Sequence, residues 1–278
     1  MLLRDKRVLV TGVLNEHSIC WAIAHRLAEQ GAEVVMVGQL EAIVMKRLNP
    51  LIAASGLQNM RADFCDVEDE AQVKALFERL AQIGKFDGLI HGPAYSDRLQ
   101  MKGRAIDVTR GNFAKTMMIS AYSFLEFIRM IEPIMMNGGS IASLTFDASN
   151  RPVPNYFCMG YAKAALESIT RYAACDLGHR LIRVNAMSPS PENTTSARQV
   201  SRFYLVGDWA EAMSPMQRRA EMGEIADLAL YLMSGLSTAI TGQILAVDCG
   251  AGMVGIPPLA NAPRMLAAME KVVGDTKA

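Results

Sequence analysis

Arg7-Val8-Leu9-Val10-Thr11-Gly12-Val13-Leu14-Asn15-Glu16-His17-Ser18-Ile19 opens with an apolar run, breaks at a polar turn after Gly12 and leads into a helical pattern from Trp21 to Gln30 that ends at Gly31. A second apolar run, Glu33 to Val37, follows. Val8-Leu9-Val10 and Val34-Val35-Met36-Val37 are continuous rather than alternating, as expected of parallel strands covered on both faces. Strand, turn, helix and strand in this order predict a crossover unit. The helix start would point free backbone N–H groups and a favourable dipole at the turn, where a pyrophosphate fits. Of the usual glycine-rich dinucleotide fingerprint only Gly12 is present, so a plain βα turn is the alternative.

Working outward, further strands are expected at Asn59 to Ala62, Gly88 to His91, Ser140 to Leu144, Ile182 to Ala186 and Gln243 to Val247, with helices in the gaps. The alternation predicts an α/β fold built on a doubly wound parallel sheet with helices on both faces. There is no internal repeat, no low-complexity tract and no linker before the Pro-Gly-Ala-rich stretch from Gly250 to Pro263. At 278 residues and 51% hydrophobic content the chain can bury the core of one α/β domain. We expect a single domain over 1–278, with a core of about 4–252 and a C-terminal tail, 253–278.

The charge balance, 28 basic against 28 acidic residues without a long run of either sign, offers no nucleic-acid footprint. Cys20, Cys65, Cys158, Cys175 and Cys249 are odd in number and free of CxxC pairs, and the four histidines are scattered. Neither a zinc site nor a disulfide framework is indicated, and a reducing compartment is expected. Charged residues at 4–7 and the short Val8 to Val10 run exclude a signal peptide or membrane span there. The expected location is cytoplasmic, with no membrane or nucleic-acid partner.

Tyr156 and Lys163 stand seven residues apart at the start of a long helical pattern. Seven residues make nearly two turns, so one acid and one long cation share a helix face. Met159, Ala162, Leu166, Ile169 and Ala173 recur as the apolar stripe, and Asn155 is the expected N-cap. The stretch Pro154-Asn155-Tyr156-Phe157-Cys158-Met159-Gly160-Tyr161-Ala162-Lys163-Ala164-Ala165-Leu166-Glu167 closely resembles the catalytic segment of the NADH-dependent enoyl-acyl carrier protein reductases, the divergent short-chain dehydrogenase/reductase branch marked by Tyr-x6-Lys. The commoner Tyr-x3-Lys is not supplied by Met159 or Gly160.

That resemblance implies a Rossmann-type sheet, and roles for particular residues. The Tyr156 phenol would donate to the enolate oxygen formed when NADH reduces a trans-2-enoyl thioester, and Lys163 would hold the nicotinamide ribose. Thr11-Gly12, five residues, then Ser18-Ile19 matches the family's pyrophosphate loop, with Gly12 admitting the backbone closely. Asp66-Val67 would hold the adenine, although Asp66 or Asp69 could instead cap a helix. Gln39, at the end of the second strand, can bond a ribose hydroxyl, and no adjacent arginine welcomes a 2′-phosphate. For His91 a structural role is favoured over a chemical one.

Gly92-Pro93 departs from the family's pattern in a segment under the nicotinamide half of the cofactor, with Gly92 on the cofactor and Tyr95 on the substrate side. Ile119-Ser120-Ala121-Tyr122-Ser123-Phe124 would pack near the site. Phe146 replaces a second tyrosine and is assigned to positioning the acyl thioester, with core packing as the alternative. After the sixth strand, Ser188-Pro189-Ser190-Pro191-Glu192-Asn193-Thr194 departs most; Glu192 would meet the carboxamide through its backbone and Thr194 the pyrophosphate. The family uses the segment matching about 195–215 as a substrate-binding lid, with Phe203, Tyr204 and Trp209 as anchors here. Met159, Met213 and Phe203 would border the acyl group.

The resemblance covers roughly residues 4–252. It implies an NADH-dependent enoyl reductase of fatty-acid biosynthesis, a homotetramer using its tail in subunit contacts, and acyl carrier protein as partner, with Arg198, Arg202 and Arg218 as weak candidates for receiving it. Two alternatives stand beside it: a carbonyl or hydroxyacyl oxidoreductase, disfavoured by the missing Tyr-x3-Lys, and a weakened nucleotide-binding paralogue, suggested by Gly92-Pro93 and Glu192.

Overall fold

The computed structural model describes residues 1–195, 197–200 and 203–276. In chain order these form β1 (Arg7–Thr11), α1 (Ile19–Glu29), β2 (Glu33–Gly38), α2 (Glu41–Ile43), α3 (Asn49–Ser55), β3 (Met60–Phe64), α4 (Glu70–Ile83), β4 (Phe86–His91), α5 (Arg110–Met117), α6 (Ser123–Ile131), β5 (Met135–Leu144), α7 (Phe157–Leu177), β6 (Arg183–Pro189), α8 (Phe203–Met213), α9 (Met222–Met233), β7 (Ile244–Val247) and α10 (Ala262–Thr276). The seven strands make one sheet in the order β3-β2-β1-β4-β5-β6-β7. Every pair is parallel. The doubly wound Rossmann-type sheet expected from the sequence is therefore present, and its order reverses between β1 and β4. Ligands of such sheets bind outside the carboxyl ends of the strands at that switch point.

Successive strand residues feed opposite cores, because side chains alternate across a sheet. Val8 and Val10 join one cluster with Ile23, Leu27 and Leu230. Leu9 joins the other with Phe77, Phe127 and Leu166. Both faces being covered explains why these strands read as continuous apolar runs.

The boundaries differ where side chains, not periodicity, decide them. β5 begins five residues earlier than expected, at Met135, because the Asn137-Gly138-Gly139 break hides the two methionines before it from the apolar run. Asn59 lies outside β3 and instead donates to the carbonyls of Ala28 and Ala32. The expected Asn155 cap is corrected: Asn155 takes a left-handed conformation, φ 64°, and Tyr156 is the residue that precedes α7. Asparagine tolerates that conformation better than most residues, which makes it a turn former at this point. Asp69 caps α4 by accepting from Ala71 and Gln72, which settles the competition with Asp66.

The segment after β6 crosses the carboxyl edge and ends in α8, which packs on α10. Within the C-terminal tail, α10 lies against α8 of the same chain. Asn261, fully buried, donates to the carbonyls of Ala212 and Ser214 at the end of α8. Lys271 pairs with Asp208 at 2.5 Å. Among the described residues no helix is long and apolar enough to cross a membrane.

Candidate active site

A cavity of about 550 Å³ opens at the carboxyl ends of β1, β4, β5 and β6. It brings together Gly12, Ser18, Ile19, Gly92, Tyr95, Phe146, Tyr156, Met159, Lys163, Glu192, Thr194 and Phe203, all singled out from the sequence. Gln39, Asp66 and Val67 do not line it. Gln39 and Asp66 meet each other farther along the same sheet edge, where β2 and β3 end, with Gln39 Nε2 3.4 Å from Asp66 Oδ2.

The floor is set by backbone contacts. Gly12 has φ +81°, and a Cβ there would stand 2.6 Å from the Gly92 carbonyl carbon. Glycine is required because the turn after β1 and the turn after β4 touch. Gly92 is explained in the same way: a Cβ would meet Cys20 Sγ at 2.2 Å. The departure at Gly92 is thus matched by the thiol of Cys20, which lines the cavity and which no motif or spacing singles out.

Above this floor stands the start of α1. The Ser18 hydroxyl turns back to the Asn15 carbonyl, 2.6 Å away, and no side chain caps the helix. No acidic residue occupies its first turn. First-turn N–H groups have no acceptor within their own helix, so this end presents donors to an anion. An uncapped helix start beside a glycine turn, opening into a cavity of this size, fits a dinucleotide pyrophosphate.

α7 supplies the polar pair. Tyr156, flanked by positive φ values at Asn155 (64°) and Phe157 (26°), is half-buried and packs edge-on against Phe146 at 5.0 Å. Burial raises its pKa above the ordinary value of 10, so the phenol stays protonated at neutral pH. Lys163 is buried, and Nζ donates to the Leu144 carbonyl at the end of β5, 2.7 Å away. Burial lowers its pKa to about 8, opposed by the neighbouring Cys20 and Glu167. A solvated surface charge is excluded for it. Below Lys163, Glu167 accepts from Thr145 and Ser149 at 2.6 Å each. This buried bonding ties α7 to the loop after β5.

His91 is buried, 3.2 Å from Thr11 Oγ1 and 2.9 Å from Ser123 Oγ, and packs against Phe124 and Phe127. Burial, with Lys163 adding to it, pushes its pKa down to about 3. It does not line the cavity, as its structural role requires. Ser120 does approach the site, bonded to the backbone of Tyr95, whereas Tyr122 faces outward.

The far wall is apolar. Met101, Met159 and Val200 form a cluster with Tyr156 and Phe203 packed on it. Met101 and Val200 come from irregular segments, where no periodicity could single them out. Glu192 lines the cavity half-buried; burial raises its pKa, Arg219 opposes this, and Glu211 and Glu221 add to it. Thr194 Oγ1 accepts from Ala197 N, and Asn15 Nδ2 reaches Thr195 Oγ1 across the cavity mouth at 2.9 Å. Trp209 and Met213 face a second, adjoining cavity. Arg218 is engaged bidentately by Glu224, Arg198 bonds Asn193, and Arg202 lies outside the described residues.

Comparison with known proteins gives the same direction. The family model described as enoyl-(acyl carrier protein) reductase matches residues 12–252. The chain is 42% identical to the enoyl-[acyl-carrier-protein] reductase [NADH] 1 of Rhizobium meliloti (strain 1021) over 92% of this chain and 93% of the relative. The Anaplasma phagocytophilum enoyl-(acyl-carrier-protein) reductase, solved in complex with NAD, superposes with a TM-score of 0.88 at 38% identity, covering 93% of this chain and 98% of that one. FabI from Candidatus Liberibacter asiaticus superposes equally well, with a TM-score of 0.88 at 40% identity over 92% and 99% of the two chains. A family match across most of the chain, with the Tyr156 and Lys163 pair at the switch point of the sheet, shows that this chain belongs to the enoyl-(acyl carrier protein) reductase family.

Proposed function

We propose that the chain catalyses the NADH-dependent reduction of trans-2-enoyl thioesters, carried on acyl carrier protein, to saturated acyl thioesters in fatty acid biosynthesis. The observation that carries this is the convergence of Tyr156 and Lys163 in one cavity with an uncapped helix start and an apolar wall. NADH supplies hydride when bound. Gly12, Ser18, Ile19 and Thr194 would hold its pyrophosphate, Gln39, Asp66 and Val67 its adenosine end, and Gly92 and Glu192 its nicotinamide side.

Reduction at the β-carbon moves negative charge onto the thioester oxygen. The Tyr156 O–H donates to that oxygen, and a donor aimed at developing charge stabilises the transition state more than the ground state. Lys163, donating to the Leu144 carbonyl, adds a positive field and would hold the cofactor ribose. Because the surroundings are desolvated, both effects are stronger than in water. Phe146 packs edge-on against Tyr156 and positions the acyl group, with Tyr95, Met159 and Phe203. A proton taken from solvent finally reaches the α-carbon, so that hydride and proton together saturate the double bond.

The segment at about 195–215 acts as a lid over the acyl group, on a protein of one domain that works in the cytoplasm as a homotetramer. Following NADH absorbance with crotonyl and longer enoyl thioesters, and a ketoacyl thioester as control, tests the reading. Turnover of the enoyl compounds, strongly reduced in Tyr156→Phe, is expected. Turnover of the ketoacyl compound alone would overturn it.

A further inference from the structure

The wall formed by Phe146, Pro189 and Pro191 has a second cavity behind it, of about 580 Å³, lined by the same three residues. Its other sides are α8 and α10, contributing Leu205, Val206, Trp209 and Met213 from the first and Ala268 and Val272 from the second. The charged groups at its margin are already engaged. Arg151 pairs with Asp147, and Asp248 accepts from the N–H groups of Gly250 and Gly252. Apart from Asn155 and Ser188, what is left facing the space is aliphatic and aromatic, a surface that suits an alkyl chain and offers a thioester or phosphate little.

The two cavities are separated by one aromatic ring and two prolines. The Phe146 ring touches Tyr156 on the first side, so an acyl chain anchored at Tyr156 leads toward this partition. The opposite wall is an α8–α10 pair held by the Asn261 bonds and the Lys271–Asp208 ion pair.

We propose that the second cavity receives the distal end of a long acyl chain passing Phe146, so that the C-terminal helix α10 sets the acyl length the enzyme prefers. This rests on the enoyl thioester reductase reading. A short acyl group ends within the first cavity and does not sense α10, whereas a long one gains burial from it.

The test fills the second cavity from its α10 wall, with Ala268→Phe and, separately, Val272→Phe, after circular dichroism has established that each variant is folded. For crotonyl thioester, kcat/KM is expected to stay within about twofold of wild type. For the hexadecenoyl thioester it is expected to fall at least about tenfold, mainly through KM, the equivalent of losing roughly two buried methylenes. A second readout is independent of turnover: in a Trp21→Phe background the remaining Trp209 reports hexadecanoate binding by fluorescence. A saturable change that the filling variants abolish is expected. Equal loss for both substrates, loss for neither, or a Trp209 signal indifferent to hexadecanoate overturns the assignment. If wild type reduces no enoyl thioester, the reductase reading fails, and the cavity assignment is then decided by the fluorescence titration alone.

Discussion

The two sides of the first cavity are built differently. The sheet side is fixed by contacts that leave no slack: Gly12 against Gly92, Gly92 against Cys20, Lys163 on the Leu144 carbonyl. The side formed by the residues after β6 and by α8 is joined to the rest by side-chain bonds such as Asn15 to Thr195 and Arg219 to the Pro191 carbonyl, and by packing on α10. Reaction geometry needs sub-ångström placement, and acyl groups of varying length need give. Strands and a long helix therefore hold the polar pair, and the replaceable apolar surface is placed on loops and on a helix covered by α10.

The largest effect should come from removing the polar pair on the rigid side. Lys163→Met is expected to lower kcat/KM for an enoyl thioester by about 10²–10³-fold, while stability falls by about 1–3 kcal/mol, since the buried Leu144 carbonyl loses its donor. Steady-state kinetics beside urea unfolding separates the two. A variant with wild-type kcat/KM would show that the rigid side serves packing alone.

Next comes the floor. Gly12→Ala forces a Cβ onto the Gly92 carbonyl carbon at a positive φ and should cost about 1–3 kcal/mol or more. A thermal midpoint equal to that of wild type would mean that the two turns can separate freely.

The other side should respond locally. Asn261→Ala removes both bonds to the end of α8 and is expected to cost about 1–3 kcal/mol. In hydrogen exchange, α8 and α10 should lose protection while β1 and β5 keep theirs. Uniform loss over the sheet would erase the distinction between the two sides.

A pH experiment tests the rigid side again. Burial holds His91 at about 3 against an ordinary 6.5. Between these values the unfolded chain binds a proton that the folded chain does not. Stability should therefore fall as pH drops from 6.5 toward 3, by at most about 1.4 kcal/mol per pH unit from this group. His91→Gln should flatten that dependence in urea midpoints taken at about pH 7 and about pH 5. Parallel curves for the two proteins would exclude the histidine as the cause.

The smallest effect is expected from Lys271→Ala. Its partner Asp208 is half-buried and Lys271 itself is exposed, so the pair is worth about 0.5 kcal/mol or less. A loss of several times that in unfolding free energy would show that the α8–α10 contact depends on this single ion pair.

Much of the sheet could be read from residues because local pattern and tertiary role coincide there: a continuous apolar run is what a strand covered on both faces must be. The pair Tyr156 and Lys163 was legible for a related reason, since helical spacing carries two side chains to one face. Cys20, Met101 and Val200 were not legible. They reach the cavity from a helix start and irregular segments, where position depends on what packs nearby. Asn155 misled because a cap and a left-handed turn draw on the same residue type.

By itself, the sequence determined the order of strands and helices, the glycine turn and the spacing of the phenol and the ammonium, all of which are properties of short stretches. Only the tertiary structure decided that Lys163 is buried on a β5 carbonyl, that Cys20 occupies the space a side chain at Gly92 would need, and that the C-terminal helix walls a second cavity. Those facts join residues far apart in the chain, and such contacts are settled by how whole elements pack rather than by any local preference.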